Sequence, residues 1–249
     1  MSNELCQTET SMKAIILAAG RGSRMQSLTK NTPKCLLTVG QQTLLARQLE
    51  IFANLGLEIG VVSGFRRRSL QLEGCKEFKN RSWRTTNMVH SLTLADSWLG
   101  TDDCIVSYSD IYFETSGLQP LLASEENISM CYDVNWESLW RARFADPLSD
   151  AESFEVDSTG WVTKIGSRPS DIRSVQGQFM GLLKIRPAGW QQLRTTLKSF
   201  SLETRRNLQL THLLGKAIAL GDCKVHGIPY ADKWMEFDLP SDLRLFNDL

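Results

Sequence analysis

The sequence lacks an excess of charge of either sign. Its 28 Lys and Arg residues balance 28 Asp and Glu residues, so no net field is available to hold a nucleic-acid backbone or an anionic membrane. Any polyanion that the protein binds should be small and gripped locally. We accordingly expect neither nucleic acid nor a membrane among its partners.

Long hydrophobic runs are also missing. The longest one near the start, Ala14 to Ala19, is far shorter than the ~20 residues that cross a bilayer, and it lacks the length of the apolar core of a signal peptide. We therefore expect a cytoplasmic protein.

Metal-binding and disulfide patterns are missing too. The 6 cysteines show no C-x-x-C spacing, and the 3 histidines are dispersed. A chain of this size needs no covalent staples. We expect free thiols, and neither a zinc site nor a Cys-His nucleophile pair is indicated.

What remains is the composition of an ordinary globular protein. Hydrophobic residues make up 42% of the 249 residues and charged residues 22%, and glycine and proline are too few for a fibrous or low-complexity chain. No internal repeat or linker interrupts the sequence. We therefore expect a single domain over residues 1–249, with residues 1–11 as a flexible tail.

Short apolar runs alternate with amphipathic segments in the first half of the chain. Lys13 to Ala18 is almost entirely apolar and is soon followed by glycine, which is typical of a buried parallel strand. The same reasoning predicts strands at residues 58–63, 103–108 and 127–133, and helices at 43–54, 88–98 and 118–124. This alternation predicts an α/β fold, a Rossmann-like, mainly parallel sheet.

The second half of the chain has a different texture. Residues 154–157 and 161–165 flank a Ser-Thr-Gly turn, which predicts an antiparallel hairpin, and a further strand is expected near residues 179–185. Helices near residues 189–198 and 210–220 and a strand near 224–227 complete the prediction. The sheet should therefore carry an elaborated antiparallel section at about residues 133–185.

A glycine loop after the first strand is the most informative segment. Ile16-Leu-Ala-Ala-Gly-Arg-Gly-Ser-Arg24 is followed by Thr32-Pro-Lys-Cys-Leu-Leu37. Glycine lets backbone N–H groups approach an anion closely, and Arg21, Arg24 and Lys34 supply positive charge. This combination suits a phosphate; a tight turn with solvated arginines is the alternative.

Two better-known phosphate loops do not fit this segment. The Walker A loop ends in Gly-Lys-Ser/Thr, and the chain contains no such tripeptide. The dinucleotide-binding loop needs a third glycine where Met25 stands, and an acidic residue about 20 positions further on, where residues 39–45 contain none.

Together, the loop and the Thr-Pro-Lys element resemble the signature of the nucleotidyltransferases, which join a nucleoside triphosphate to a sugar phosphate, phosphocholine or a related small phosphate or phosphonate. The resemblance covers most of the chain. Thr86 to Leu92 is similar to the cytidylyltransferase branch that includes the phosphocholine, phosphoglutamine and aminoalkylphosphonate enzymes. The resemblance implies one nucleotidyltransferase domain, with Mg²⁺ as cofactor and the antiparallel section near the acceptor.

The resemblance also assigns site residues, with a triphosphate held by the glycine loop. The residues carried over for nucleotide binding are Leu17, Ala18, Ala19, Gly20, Arg21, Gly22, Ser63, Gly64, Asn80, Thr86, Asn87 and Ser91, and the catalytic residues are Arg24, Lys34 and Asp110. Helix capping is an equal alternative for Asn87, which stands at the start of a predicted helix.

Two carboxylates are expected to hold the metal. Asp110 follows a predicted strand at the sheet edge where open α/β folds bind ligands, and its oxygen atoms suit Mg²⁺; a turn aspartate is the alternative. Asp238, in Trp234-Met-Glu-Phe-Asp238, resembles the second metal-holding carboxylate of the family. Glu236 is the near alternative to Asp238.

A segment rich in tryptophan, arginine and carboxylate lies in the region that the family uses near its acceptor. Arginine suits a phosphate, whereas tryptophan faces and carboxylates suit an ammonium group. The four-residue spacing of Trp136 and Trp140 is also that of a helix face packed on the core. The expected acceptor-binding residues are Asp133, Trp136, Trp140, Arg143, Glu152, Gln178 and Trp234.

These features predict a Mg²⁺-dependent cytidylyltransferase. It would transfer CMP from CTP to a small zwitterionic phosphate or phosphonate, such as phosphocholine, 2-aminoethylphosphonate or a phosphorylated amino acid, and release pyrophosphate. One alternative is a sugar-1-phosphate nucleotidyltransferase that uses UTP, dTTP or CTP. The other is a non-catalytic nucleotide-binding regulator, which would be expected to lack Lys34 or Asp110.

Overall fold

The computed structural model of the protein describes residues 12–248, so the predicted tail over residues 1–11 lies outside the described residues. The strands, in chain order, are β1 (Lys13–Ala18), β2 (Thr38–Val39), β3 (Gln42–Thr43), β4 (Glu58–Ser63), β5 (Lys76–Lys79), β6 (Cys104–Tyr108), β7 (Ile111–Phe113), β8 (Ile128–Asp133), β9 (Phe154–Val156), β10 (Val162–Ile165), β11 (Gln178–Ile185), β12 (His226–Tyr230) and β13 (Trp234–Glu236). The α-helices are α1 (Leu44–Asn54), α2 (Met88–Thr93), α3 (Asp96–Leu99), α4 (Gln119–Ala123), α5 (Trp136–Arg143), α6 (Pro187–Lys198), α7 (Leu202–Asn207), α8 (Leu210–Leu220) and α9 (Pro240–Asp248).

A seven-stranded sheet forms the centre of the structure, with the strand order β12-β8-β11-β6-β1-β4-β5. The neighbours β6, β1, β4 and β5 pair in parallel, and so do β8 and β12. Strand β11 pairs antiparallel with both β6 and β8. The mainly parallel sheet predicted from the sequence is therefore confirmed, and so is the antiparallel hairpin, which consists of β9 and β10.

Both faces of the sheet are buried, which explains the nearly continuous apolar sequence of β1. Ile16 and its alternate neighbours pack into one cluster, whereas Ile15 and Leu17 pack into a second cluster on the opposite face. Helix α1 covers the first cluster. It begins after Thr43, whose hydroxyl accepts a hydrogen bond from Ala46 N at 3.1 Å, and Gly56 in the left-handed region follows its end.

Among the elements predicted from the sequence, two differ most from their predicted bounds. The helix predicted over residues 88–98 is divided into α2 and α3, because the chain after Thr93 continues with i→i+3 hydrogen bonds and the Thr93 hydroxyl donates to His90 O at 2.7 Å. Strand β12 extends to Tyr230 and contains Pro229, which an edge strand tolerates.

The expectations about thiols and membrane spans can be compared with the part of the chain that the structure describes. Cys35, Cys75, Cys104, Cys131 and Cys223 are free thiols, whereas Cys6 lies outside the described residues. Within residues 12–248, no helix is long and apolar enough to cross a membrane.

Candidate active site

A cleft of about 270 Å³ opens at the carboxyl edge of the sheet. The glycine loop leaves this edge after β1, and Asp110 follows β6, which runs parallel to β1. The cleft is lined by Leu17, Ala19, Gly20, Gly22, Ser23, Arg24, Lys34, Asn80, Trp83, Thr86, Asn87, Met88, Ser91, Tyr108, Ser109, Asp110, Glu236 and Asp238. The parallel register of two neighbouring strands therefore brings the predicted loop and the predicted carboxylate together.

Gly22 fixes the glycine loop against Lys34. Its φ angle is +71°, and a Cβ at this position would lie 2.6 Å from Lys34 Cδ. The carbonyl oxygen of Gly22 also accepts a hydrogen bond from the Thr29 hydroxyl at 2.7 Å. Because only glycine combines this dihedral with this close approach, the loop and the lysine depend on each other for their positions.

Lys34 is buried, with 7% exposure, and it joins two of the carboxylates. Its Nζ donates to Asp110 Oδ2 at 2.6 Å and also to Asp238 Oδ1. Burial lowers the pKa of Lys34, but Asp110, Asp238 and Glu236 outweigh burial and raise the pKa above its usual value. Lys34 therefore carries a fixed positive charge at the centre of the site.

Asp238 and Glu236 have different electrostatic surroundings. Burial raises the pKa of Asp238, but Lys34 and Arg24, whose Nη2 lies 2.6 Å from Asp238 Oδ2, hold it below its usual value. Burial, and then repulsion by Asp238 and Asp110, raise the pKa of Glu236 well above its usual value. The cluster thus contains more carboxylate groups than the neighbouring cations neutralise.

The three carboxylates fit a divalent cation. Oxygen atoms of Asp110, Glu236 and Asp238 lie within 4.8 Å of one another, and carboxylate oxygens are the ligands that Mg²⁺ prefers. Strands β7 and β13 bring them together by antiparallel pairing, in which Glu236 is opposite Ile111. The two positions that the sequence left as alternatives, residues 236 and 238, both lie at this cluster.

Asn80 organises the opposite end of the cleft. Its Nδ2 donates to Thr86 Oγ1 at 3.0 Å and to Ser91 Oγ at 3.1 Å, and its Oδ1 accepts from Ser82 N at 2.9 Å. Asn80 is buried and directly follows β5. It therefore fixes the side chains of Thr86 and Ser91 at the cleft wall.

Asn87 caps a helix, as one of the two alternatives predicted, and its position in the cleft is compatible with the other, contact with a nucleotide. Its Oδ1 accepts a hydrogen bond from Met88 N at 2.8 Å and caps α2, and its Nδ2 donates to Asn207 O at 3.3 Å. The residue also lines the cleft.

Four residues predicted to bind the nucleotide do not line this cleft. Ala18 and Ser63 are buried in the sheet, and the Ser63 hydroxyl donates to Glu77 Oε1 at 2.6 Å. Gly64 packs against the loop backbone, since a Cβ there would lie 2.4 Å from Ala19 O. Arg21 is exposed and lies over the ring of Phe65. These four residues therefore lie beside the loop and outside the lining of the cleft.

A second cleft of about 240 Å³ continues from the first. Its lining residues are Arg24, Asn87, Met88, Tyr108, Trp140, Asp150, Glu152, Gln178, Phe179, Gln209, Thr211, Glu236 and Asp238. Six of them, Arg24, Asn87, Met88, Tyr108, Glu236 and Asp238, also line the first cleft. Of the predicted acceptor residues, Trp140, Glu152 and Gln178 lie here.

Glu152 and Asp150 bring negative charge into the second cleft. Burial raises the pKa of Glu152, and its Oε1 accepts a hydrogen bond from Thr211 Oγ1 at 3.2 Å. Burial also raises the pKa of Asp150, although Arg143 and Arg24 oppose this. Arg24 Nη1 lies 3.7 Å from Asp150 Oδ1, whereas no described residue forms an ion pair with Glu152.

Trp136 and Arg143 lie outside the clefts, contrary to the expectation from the sequence. Trp136 is buried, and its Nε1 donates to Val175 O at 3.1 Å. The Arg143 side chain has no exposure, and its Nε and Nη2 each lie 3.2 Å from a carboxylate oxygen of Asp242. These residues are part of the interior, because the apolar face of α5 packs inward.

Asp133 and Trp234 were also predicted to bind the acceptor, but neither lines the second cleft. They line a separate surface hollow of about 330 Å³. The Trp234 ring stacks on Trp140 at 6.0 Å with an angle of 15° and so supports it from behind. Burial raises the pKa of Asp133 to about 6.

Several residues that line the clefts were not predicted from the sequence. Tyr108 could have been predicted, because it is the last residue of β6 and therefore lies at the sheet edge that binds ligands in such folds. Trp83, Gln209 and Thr211 gave no signal, because they enter the clefts only through contacts between elements that are distant in sequence.

Comparisons with known proteins agree with this geometry. The MobA-like NTP transferase domain matches residues 14–149, more than half of the chain. A relative from Campylobacter jejuni, CTP:phosphoglutamine cytidylyltransferase, is 29% identical, and the match covers 94% of this chain and 98% of the relative.

Solved structures show the same fold. CTP:phosphocholine cytidylyltransferase from Streptococcus pneumoniae matches with a TM-score of 0.72 at 19% identity over 96% of this chain and 98% of that one. The inositol-1-phosphate CTP transferase from T. maritima matches with a TM-score of 0.72 at 21% identity, over 96% and 94%. The resemblance read from the glycine loop is thus confirmed: the chain belongs to the MobA-like NTP transferase family and is a nucleotidyltransferase.

Proposed function

We propose that this enzyme is a Mg²⁺-dependent cytidylyltransferase that transfers CMP from CTP to a small zwitterionic phosphate or phosphonate. One observation carries the proposal: two continuous clefts meet at Arg24, Glu236 and Asp238. A nucleotide in the first cleft and an acceptor in the second would have their reacting phosphates at this junction. The name of the Campylobacter jejuni relative, which is matched over nearly its full length, supports CTP as the donor.

The first cleft suits a nucleoside triphosphate. The glycine loop and Lys34 offer backbone N–H groups and positive charge to the phosphates. At the other end, Asn80, Thr86 and Ser91 present a wall of polar groups to a base. A site that reads a base by hydrogen bonds discriminates strongly against an analogue that lacks the matching group.

The reaction follows from the charges at the junction. An oxygen of the acceptor phosphate attacks the α-phosphorus of CTP, and the bond from this phosphorus to the oxygen that bridges to the β-phosphate breaks, so that pyrophosphate leaves with its electron pair. The acceptor needs no general base, because its second ionisation lies near pH 6. Arg24 and Lys34 bind the phosphates and hold them in line.

The carboxylates complete the arrangement. A divalent cation held by Asp110, Asp238 and Glu236 would supply positive charge against the triphosphate. The side chain of Arg24 lies between Asp238 and Asp150, so it adds a positive group where the two clefts join. Arg24 can therefore contact either phosphate as the reactants come together.

A cationic group on the acceptor is favoured by the second cleft. Glu152 is partly buried there without an ion pair among the described residues, and Trp140 forms part of the same wall. The side-chain amide of Gln178 bonds to the backbone of Glu152 at 2.6 Å and 2.9 Å and so fixes its position. An ammonium group of the acceptor would neutralise Glu152 and contact the tryptophan face.

A substrate matrix tests the proposal. Pyrophosphate release is measured with each of CTP, UTP, dTTP, ATP and GTP against phosphoglutamine, phosphocholine, 2-aminoethylphosphonate, glucose 1-phosphate and inositol 1-phosphate. We expect turnover with CTP and a zwitterionic acceptor. A neutral sugar phosphate as the best acceptor, with UTP or dTTP as the donor, would instead identify a sugar-1-phosphate enzyme.

A variant pair tests the ammonium site. Glu152→Gln should raise the acceptor KM about tenfold, the equivalent of about 1.4 kcal/mol, while the KM for CTP is unchanged. Glu155→Gln is the matched control, because Glu155 pairs with Lys164 on the hairpin and lines neither cleft. Equal acceptor KM values for the two variants would contradict the role of Glu152.

A further inference from the structure

A buried ion pair lies directly behind the carboxylate cluster. Asp242 has no exposure, and its carboxylate accepts hydrogen bonds from Arg143 Nε and Nη2, each at 3.2 Å. Arg143 belongs to the last turn of α5, whereas Asp242 belongs to the first turn of α9. The pair thus joins two helices through residues that are 99 positions apart in sequence.

Asp242 also holds the backbone of the segment that carries the site. Its Oδ2 accepts from Asp238 N at 2.8 Å and from Leu239 N at 2.8 Å. The bond to Leu239 resembles the reach-back half of a capping box, with Pro240 at the first helical position. A cap requires only that bond, so the second bond, to the amide of Asp238 itself, has no capping function.

We propose that Asp242 positions Asp238 to hold the divalent cation, an inference that rests on the metal requirement in the proposed function. Arg143 balances the buried charge of Asp242, and the Asp242 carboxylate fixes two consecutive amides next to the side chain of Asp238. Neither Arg143 nor Asp242 lines a cleft. Asp242 is therefore a positioning residue, and it acts through the backbone at Asp238.

The surroundings of Arg143 keep the pair rigid. Its guanidinium lies 5.1 Å from the Trp140 ring and 4.9 Å from the Phe144 ring. Trp140 is in turn stacked on Trp234. Because Trp140 lines the second cleft, the same packed side chains support the acceptor wall and the metal-holding segment.

Two double variants separate positioning from simple packing. Arg143→Met/Asp242→Asn and Arg143→Met/Asp242→Leu both remove the buried charges together, and removing both partners of a buried pair is often well tolerated. Asn and Leu have similar sizes, but only Asn retains an oxygen that can accept from the two amides. The variants therefore differ in one relevant property, the acceptor for Asp238 N and Leu239 N.

The readout is CTP binding by calorimetry without acceptor, so no turnover occurs. For each protein, CTP affinity is measured with Mg²⁺ and with EDTA, and the ratio gives the metal-dependent gain. We expect the Asn variant to keep this gain within about threefold of wild type and the Leu variant to lose at least about tenfold of it. Affinity in EDTA should be the same for both.

Equal metal-dependent gains in the two variants would overturn the inference and leave the proposed function intact. A wild type that gains no CTP affinity from Mg²⁺ would overturn the metal requirement and the inference together. A second measurement needs no variant: amide exchange at Asp238 and Leu239 in the ligand-free wild type. We expect strong protection; fast exchange that slows only with Mg²⁺ and CTP would also overturn the inference.

Discussion

Replacement of Lys34 by methionine should strengthen metal binding while it destroys catalysis. In the free enzyme the Lys34 ammonium bonds to Asp110 and Asp238, two of the three carboxylates that fit a cation. A cation at the cluster would compete with Lys34 for Asp110 Oδ2 and Asp238 Oδ1. Lys34 therefore competes with the metal until a triphosphate offers the ammonium new partners.

The structure sets the size of this competition. A hydrogen bond to a charged group contributes about 1.5 to 3 kcal/mol. Lys34 makes two such bonds in a buried position, so even the lower figure gives about 3 kcal/mol for the two, which corresponds to roughly a hundredfold in affinity. Methionine keeps most of the apolar stem of lysine and removes only the charge.

The assay is a titration with Mn²⁺ in the absence of nucleotide, in which electron paramagnetic resonance reports free Mn²⁺. Lys34→Met should bind Mn²⁺ roughly a hundredfold more tightly than wild type, while turnover with Mg²⁺ and CTP falls by orders of magnitude. Lys30→Met is the matched control. Lys30 is exposed and lies four residues from Lys34 in sequence, so its replacement removes the same charge from outside the site. Unchanged or weaker Mn²⁺ binding by Lys34→Met would refute the reasoning.

Three further predictions concern single residues. Asp110→Asn should lower kcat by orders of magnitude with an unchanged circular dichroism spectrum; near wild-type turnover at saturating Mg²⁺ would contradict its metal role. Gly22→Ala should lower kcat more than Gly40→Ala does. Both glycines have positive φ, so either substitution incurs a backbone cost of about 1–2 kcal/mol, but only Gly22 contacts Lys34. Equal losses of kcat would contradict a role for this contact. Because the folded pKa of Asp133, about 6, exceeds the unfolded value, the stability it contributes is present below about pH 4 and lost as the pH rises through 6. Asp133→Asn should therefore raise Tm at pH 7 but not at pH 4, with the acceptor KM unchanged; a raised KM would return Asp133 to the acceptor site.

The sequence was sufficient to predict the position of a residue where the local pattern of structure and the chemistry of the side chains coincide. The apolar run of β1, the glycine loop and Lys34 lie within about two dozen residues, and their spacing reflects one strand, one turn and one phosphate-binding surface. Asp110 was predictable for a similar reason, because the carboxyl end of a parallel strand identifies the edge of the sheet.

The acceptor region was less predictable because its residues have partners that are distant in sequence. The guanidinium group of Arg143 is suited to bind a phosphate, yet in the structure it bonds to Asp242 on α9 instead. Trp136 and Trp140 share one helix, but the register of α5 against the core sends one indole to Val175 and the other to a cleft. Composition could indicate such a region but could not divide its residues between wall and interior.

The antiparallel ladder of β7 and β13 has a consequence for how the enzyme diversifies. Residues 114–233 leave the ladder after β7 and return to it at β13, and the side chains specific to the second cleft, from Trp140 to Thr211, all belong to this excursion. The carboxylates at residues 110, 236 and 238 lie at the other end of the ladder, where Glu236 pairs with Ile111. Because this excursion also supplies β8, β11 and β12 of the central sheet, we expect substitutions and loop insertions between those strands, rather than exchange of the whole excursion, to reshape the second cleft without moving the three carboxylates.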